Sequence, residues 1–132
     1  IFVMLLNCKG QDIEKKKVFE KKDQKGRVIE RFGNYHETDR NTNFRYFYFY
    51  DNKDSVIREK RYFFDDENTE CRIIDSLNFN DFHFRFDPSG NLQQLEIHYP
   101  VYDGASRAIG HYLGYRKNYG SGKEENFDSP EN

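Results

Sequence analysis

The sequence has no tryptophan, one methionine, three prolines and two cysteines in its 132 residues. Two cysteines cannot build the disulfide framework of a small secreted scaffold, and no C-x-x-C spacing offers a redox or zinc motif. An excess of one charge is missing too. With 21 basic and 23 acidic residues the net charge is −2, too balanced for the field that draws nucleic acid or an anionic membrane surface. The longest aliphatic run, at residues 1–6, is far short of the roughly 20 residues that cross a bilayer as a helix. No G-x-S-x-G, P-loop or dinucleotide fingerprint occurs, so nothing marks an activated serine or a nucleotide site. No cofactor is implied.

What the chain does have is aromatics. Only 36% of its residues are apolar, but 13 Phe and ten Tyr carry large areas each and can build a core from few positions. The length fits one domain.

The most regular stretch runs from Phe82 to Tyr99. Phe82, Phe84 and Phe86 alternate with His83 and Arg85, and Leu95, Ile97 and Tyr99 alternate with Glu96 and His98, the period of strands with one apolar face. Between them Asp87-Pro88-Ser89-Gly90-Asn91 reads as a turn, with Gly90 where φ must be positive. Pairing Asp87 with Leu92 sets Phe84 against Leu95, Phe82 against Ile97, His83 against Glu96 and Arg85 against Gln94; a slip by one residue would oppose phenylalanine to polar side chains.

The pattern recurs. In residues 18–32, with Asp23 and Gly26 in the turn, the same register opposes Phe19 to Phe32, Glu20 to Arg31 and Lys21 to Glu30, so it explains the charges as well as the aromatics. Residues 43–64 form another copy with Asp51 in the turn and Asp54 in the glycine position, tolerable because Asp enters the left-handed region more readily than most residues. Phe44 to Tyr50 is aromatic on both faces, and a tyrosine stripe turned outward there would be adhesive. Arg58-Glu59-Lys60-Arg61 interrupts the alternation and predicts an edge or a projecting segment. A short strand is expected at 71–74, after an acidic turn at 65–69 that lacks the spacing of an EF-hand calcium loop. Asp103 and Ala108 repeat the five-residue offset from turn Asp to apolar residue, which favours a strand at 109–117 over a helix at 105–116 weakened by Gly110 and Gly114. Residues 120–132 show no periodicity and are expected to be a disordered tail.

These elements predict an all-β protein: an antiparallel meander of about eight strands, a rolled sheet or a small up-and-down barrel. Residues 1–17 read as a leader and tether, 18–119 as the β-meander domain. The repeats resemble the tyrosine- and aspartate-rich hairpin repeats of bacterial surface proteins in their turn pattern.

Leu5-Leu6-Asn7-Cys8, followed by Lys9-Gly10-Gln11, resembles the end of a bacterial lipoprotein signal peptide, with Asn7 standing where such signals carry Gly, Ala or Ser. The resemblance implies that Cys8 is the lipidated first mature residue and that the protein is anchored in the bacterial cell envelope; without processing it would be secreted, and a Cys8–Cys71 disulfide becomes possible.

The best chemical constellation is the polar face of the 82–99 hairpin: Asp81, His83, Arg85, Glu96 and His98. His83, Glu96 and His98 have the residue types for acid/base work or zinc, but no nucleophile and no third ligand stands at a telling spacing, so a solvated cross-strand network is the plainer reading and no metal is assigned. Function is therefore expected in binding rather than catalysis. Tyr46, Tyr48, Tyr50 and Tyr62, with the later set Tyr99, Tyr102, Tyr112, Tyr115 and Tyr119, exceed what a core needs, and tyrosine is a favoured contact residue. The expectation is a non-enzymatic lipoprotein that binds a protein partner through these tyrosines, in a toxin-neutralising or assembly role by analogy with small lipoproteins. The alternatives are a lipocalin-like carrier of a small apolar ligand, which needs a closed barrel, and an envelope hydrolase or metal site on the His83/Glu96/His98 face.

Overall fold

The computed structural model describes residues 18–37, 40–65 and 77–127. All its regular structure is β: β1 Val18–Lys22, β2 Val28–Glu37, β3 Arg40–Tyr50, β4 Val56–Asp65, β5 Asn80–Phe86, β6 Leu92–Tyr102, β7 Ala108–Asn118 and β8 Lys123–Asn126. The strands hydrogen-bond in sequence order from β1 to β8. Each end strand has one neighbour, so the antiparallel meander is open and not a closed barrel.

Four connections share one turn, and sequence explains it. Asp23, Asp51, Asp87 and Asp103 each donate their N–H to the carbonyl four residues on and accept the N–H three residues on, at 2.9 to 3.1 Å. Each Oδ1 also accepts the N–H groups of residues i+2 and i+4 at 2.9 to 3.0 Å. One carboxylate thus satisfies two loop donors that would otherwise need water. The fourth residue is left-handed in all four: Gly26 at φ 85°, Asp54 at 65°, Gly90 at 90° and Ser106 at 62°. This is the three-residue hairpin loop that ends in a left-handed bulge residue.

The bulge also adjusts the register. Phe84 opposes Leu95, Phe82 opposes Ile97, His83 opposes Glu96 and Arg85 opposes Gln94, as the alternation predicts, but Leu92 pairs with Phe86 rather than Asp87. In the first hairpin Phe19, Glu20 and Lys21 face Phe32, Arg31 and Glu30 as predicted, with a matching irregularity at Lys22.

Two expectations need correction. Residues 123–126 are not tail but β8, paired with Tyr115–Asn118 of β7; Lys117 meets Glu124 and Arg116 meets Glu125, so cross-strand charge supplies what apolar periodicity does not. The interrupted alternation at 58–61 marks neither an edge nor a projection, because β4 lies between β3 and β5; its cations are absorbed by Asp81 and by aromatic rings. The strand favoured at 109–117 over a helix is present as β7, Ala108–Asn118. The expected strand at 71–74, the acidic turn around 66–69, Cys8, Cys71 and the tether before Val18 lie outside the described residues.

Contacts divide the chain into two units, one holding β1, β2, β3 up to Tyr48 and β4 from Arg61, the other holding 49–60 and 77–132, where composition suggests one domain. The first unit's core is Phe32, Phe44, Tyr46 and Tyr62. Phe19 stacks on Phe32 at 5.2 Å, and Phe47 meets Tyr62 edge-on at 5.8 Å. Arg45 is buried there too, bonded to Glu30 at 2.6 Å and lying 5.2 Å from the Phe32 ring. Pairing is what makes burial of both charges tolerable.

Candidate functional site

The second unit presents two unlike faces, because residues directly opposite each other share a side of the sheet. One face is polar. Arg58 donates Nε and Nη2 to the two carboxylate oxygens of Asp81 at 2.9 and 2.8 Å. His83 Nε2 lies 3.2 Å from Asp81 Oδ1, and the His83 and His98 rings are 4.5 Å apart. His98 Nε2 lies 3.2 Å from Glu96 Oε1, whose other oxygen accepts Arg116 Nε at 2.8 Å. Arg116 then reaches Glu125 at 3.9 Å. The residues singled out on the 82–99 hairpin are thus brought together, except that Arg85 is exposed and makes no bond among the described residues. Arg58, Arg116 and Glu125 complete the network; they lie in consecutive charged runs on β4, β7 and β8, where no two-residue alternation singles them out.

The electrostatics are those of a satisfied ladder. Burial works against the charge on Asp81, but the bond from Arg58 and the charges of His83 and Arg58 outweigh it and hold the carboxyl below its ordinary 3.8. Burial likewise opposes ionisation of Glu96, and the bonds from Arg116 and His98 outweigh it, holding that carboxyl below 4.5. Neither carboxylate is poised to take or give a proton near neutrality, as a general base or acid must. Among the described residues no three His, Cys, Asp or Glu side chains are placed to hold a metal ion.

Further along this face Lys60 Nζ sits 5.4 Å from the Phe49 ring and 5.0 Å from Phe79, and His111 packs on Phe79 at 4.3 Å while its Nε2 meets the Phe79 carbonyl at 3.1 Å. No motif announces this column, since its members come from β3, β4, β7 and the segment before β5.

The opposite face carries an apolar cluster, bordered on β7 by Lys117, which opposes Leu95. Phe82, Phe84 and Phe86 of β5 stand beside Ile97 and Leu95 of β6, Ile97 opposes Tyr115 of β7, and Tyr99 opposes Tyr112 with rings 6.0 Å apart. All eight side chains are partly exposed and none is buried. At the turn end a groove of about 240 Å³, lined by Ile57, Phe84, Phe86 and Pro88 with Lys53 and Arg85, falls below the roughly 300 Å³ at which small-molecule pockets begin.

The structure places the tyrosines expected to form the contact surface in different settings. Tyr46 is buried between Phe44 at 4.9 Å and Phe63 at 5.8 Å, with Arg61 over its ring. Tyr62 is buried against Phe47. Tyr48 and Tyr50 are half-exposed, and Arg31 lies 5.9 Å from the Tyr48 ring. Of the later set, Tyr99, Tyr112 and Tyr115 share the apolar face, and Tyr102 and Tyr119 are exposed.

No protein-family model, no curated protein and no solved structure matches this chain.

Proposed function

We propose that the chain is a non-enzymatic binding protein whose apolar sheet face in the second unit takes a protein partner. The observation that carries this reading is the set of eight partly exposed aromatic and aliphatic side chains that share one side of β5, β6 and β7. A sheet face of this kind ordinarily packs against a second layer, and contiguous exposed apolar surface marks interaction sites in soluble proteins. Phenylalanine and tyrosine give large contact area at little cost in side-chain entropy, as binding surfaces require. The surface moves from Tyr46 and Tyr62, which the first unit spends on its own core, to Phe84, Ile97, Tyr112 and Tyr115.

Two observations weigh against the alternatives. The open strand order encloses no interior for an apolar ligand. On the polar face each histidine-paired carboxylate is also held by an arginine, which suits a structural network better than hydrolysis. The lipoprotein reading of Cys8 belongs to this proposal: a tethered sheet would present its face at the envelope surface, and a toxin-neutralising or assembly role would use it there. Producing the full precursor with Cys8→Ser should release the protein from the membrane fraction, and mass spectrometry of the unaltered protein should find lipid on Cys8; an unlipidated, membrane-retained protein would refute the anchor.

A photo-crosslinking residue placed at Phe84 or Tyr112, compared with one at His83 or His98, tests the face in cells that make the protein. A discrete heterologous adduct from positions 84 and 112 alone is expected. Adducts confined to 83 and 98 would transfer function to the polar ladder.

A further inference from the structure

The two ends of the strand order are blunted differently from the stretch of β7 beside them. β1 is five residues long and carries Glu20, Lys21 and Lys22, and β8 is four residues of sequence KEEN. Short, charged strands are the usual protection against unwanted pairing. β8, however, covers only Tyr115 to Asn118 of the 11-residue β7, and one further bond, from the Phe127 N–H to the Gly114 carbonyl, is the last that the described residues make beyond it. From Ala108 to Leu113 the chain pairs with β6 on one side and with no described residue on the other. That stretch, Ala-Ile-Gly-His-Tyr-Leu, has no lysine, glutamate, aspartate or proline.

Unpaired backbone N–H and C=O groups along an edge are a template for one kind of occupant, another extended strand. We propose that this edge of β7 pairs antiparallel with the same edge of a second copy of the chain, forming a two-fold dimer. The segment is self-complementary in the way a two-fold axis demands. Centred on His111, the pairing sets Gly110 against Tyr112 of the second copy, an aromatic ring over a glycine, and brings Ile109, the extra residue of a bulge opposite Val101 and Tyr102, beside Leu113, with no like charges opposed. The axis stands perpendicular to the sheet, so the apolar faces of the two second units lie on the same side and form one doubled surface. The charged strand β8 ends the pairing at Gly114, so the ladder is short and closes at two copies. An interface of about five residue pairs is at the weak end of the range, which implies a dimer populated at on the order of 100 μM rather than at nanomolar concentration. The inference stands independently of the partner-binding proposal.

Sedimentation velocity across a concentration series, with hydrogen exchange at each concentration, decides the matter. The unaltered protein should pass from monomer to dimer, and the amides of residues 108–113 should gain at least tenfold protection as it does. Gly110→Lys should remain monomeric at every concentration with an unchanged melting curve, because a Cβ at Gly110 meets nothing within 4 Å; Ile109→Lys, at a side chain 57% exposed, supplies the second variant if the first fails to fold. A protein that stays monomeric, a dimer whose 108–113 amides exchange unchanged, a dimer that survives both lysines, or open-ended polymers would each overturn the proposal. A monomer that gains protection at 108–113 only on adding another protein would overturn it in favour of a foreign strand at the same edge.

Discussion

The ring of Tyr99 lies over the backbone of Gly114, so close that a Cβ at residue 114 would sit 2.6 Å from Tyr99 Cε2 and nearer still to Cδ2. The two residues belong to adjacent strands, and the glycine lies between Leu113 and Tyr115 where the β6–β7 register shifts. An aromatic ring laid across a strand glycine replaces the packing that the missing side chain would have made. Gly114→Ala should lower stability by about 1–3 kcal/mol through overpacking. Because both of the closest contacts are with the Tyr99 ring, Tyr99→Ala combined with Gly114→Ala should cost less than the sum of the two single changes, a coupling that urea melts of all four proteins measure.

The four equivalent turns make their own comparison. Asp54 and Ser106 occupy left-handed positions where Gly26 and Gly90 stand in the sister turns. Asp54→Gly and Ser106→Gly should each stabilise by about 0.5–1 kcal/mol, whereas Gly90→Val should destabilise far more than Ser89→Ala. Denaturation midpoints check the order; equal midpoints for the two residue 89 and 90 variants would contradict the turn assignment.

The spacing of Asp, the glycine or its substitute, and the next apolar residue made these turns and their registers legible in sequence, because a carboxylate that caps two backbone donors acts locally and recurs at a fixed offset. β8 was not legible: its four residues are polar, and it is held by partners such as Lys117 and Glu124 that pair only once β7 is in place. The fate of the tyrosines was equally hidden. Alternation tells which residues share a side of a strand, but not that Tyr46 and Tyr62 would be buried while Phe84 and Tyr112 stay partly open; that depends on which neighbours the meander brings across. The polar ladder fell between these cases, with the hairpin members foreseen from register and the flanking arginines found only in three dimensions.

The ladder predicts an acid limb of stability. Asp81 and Glu96 have carboxyl groups held below their ordinary 3.8 and 4.5, so the folded state binds fewer protons there than the unfolded chain. Their contribution is complete above those ordinary values and is lost as pH falls through them towards the lower folded values. Melting temperature should hold level from pH 7 to about 5 on this account and drop below about 4.5. Arg58→Met should lower stability at neutral pH and flatten the acid limb, since Arg58 is the chief group holding Asp81 ionised; an unchanged acid limb would show that other carboxylates set it.

In the first unit the buried Arg45–Glu30 pair predicts an asymmetry. Removing one partner, as in Arg45→Met, leaves a buried charge without its mate and should cost about 3–5 kcal/mol, while Arg45→Met with Glu30→Leu should recover much of the loss. Equilibrium unfolding of the two variants measures it.

The claim that the apolar face of β5, β6 and β7 is the working surface is tested most directly by affinity. With the crosslinked partner purified, calorimetric titration should show Tyr112→Ala and Phe84→Ala binding at least tenfold more weakly than the unaltered protein, the loss expected when a ring at the centre of an interface is truncated. Over the same titration His83→Ala and His98→Ala, folded by their melting curves, should bind within about twofold. If the histidine variants lose binding while both aromatic variants retain it, the aromatic face is not the binding surface and the polar ladder takes its place.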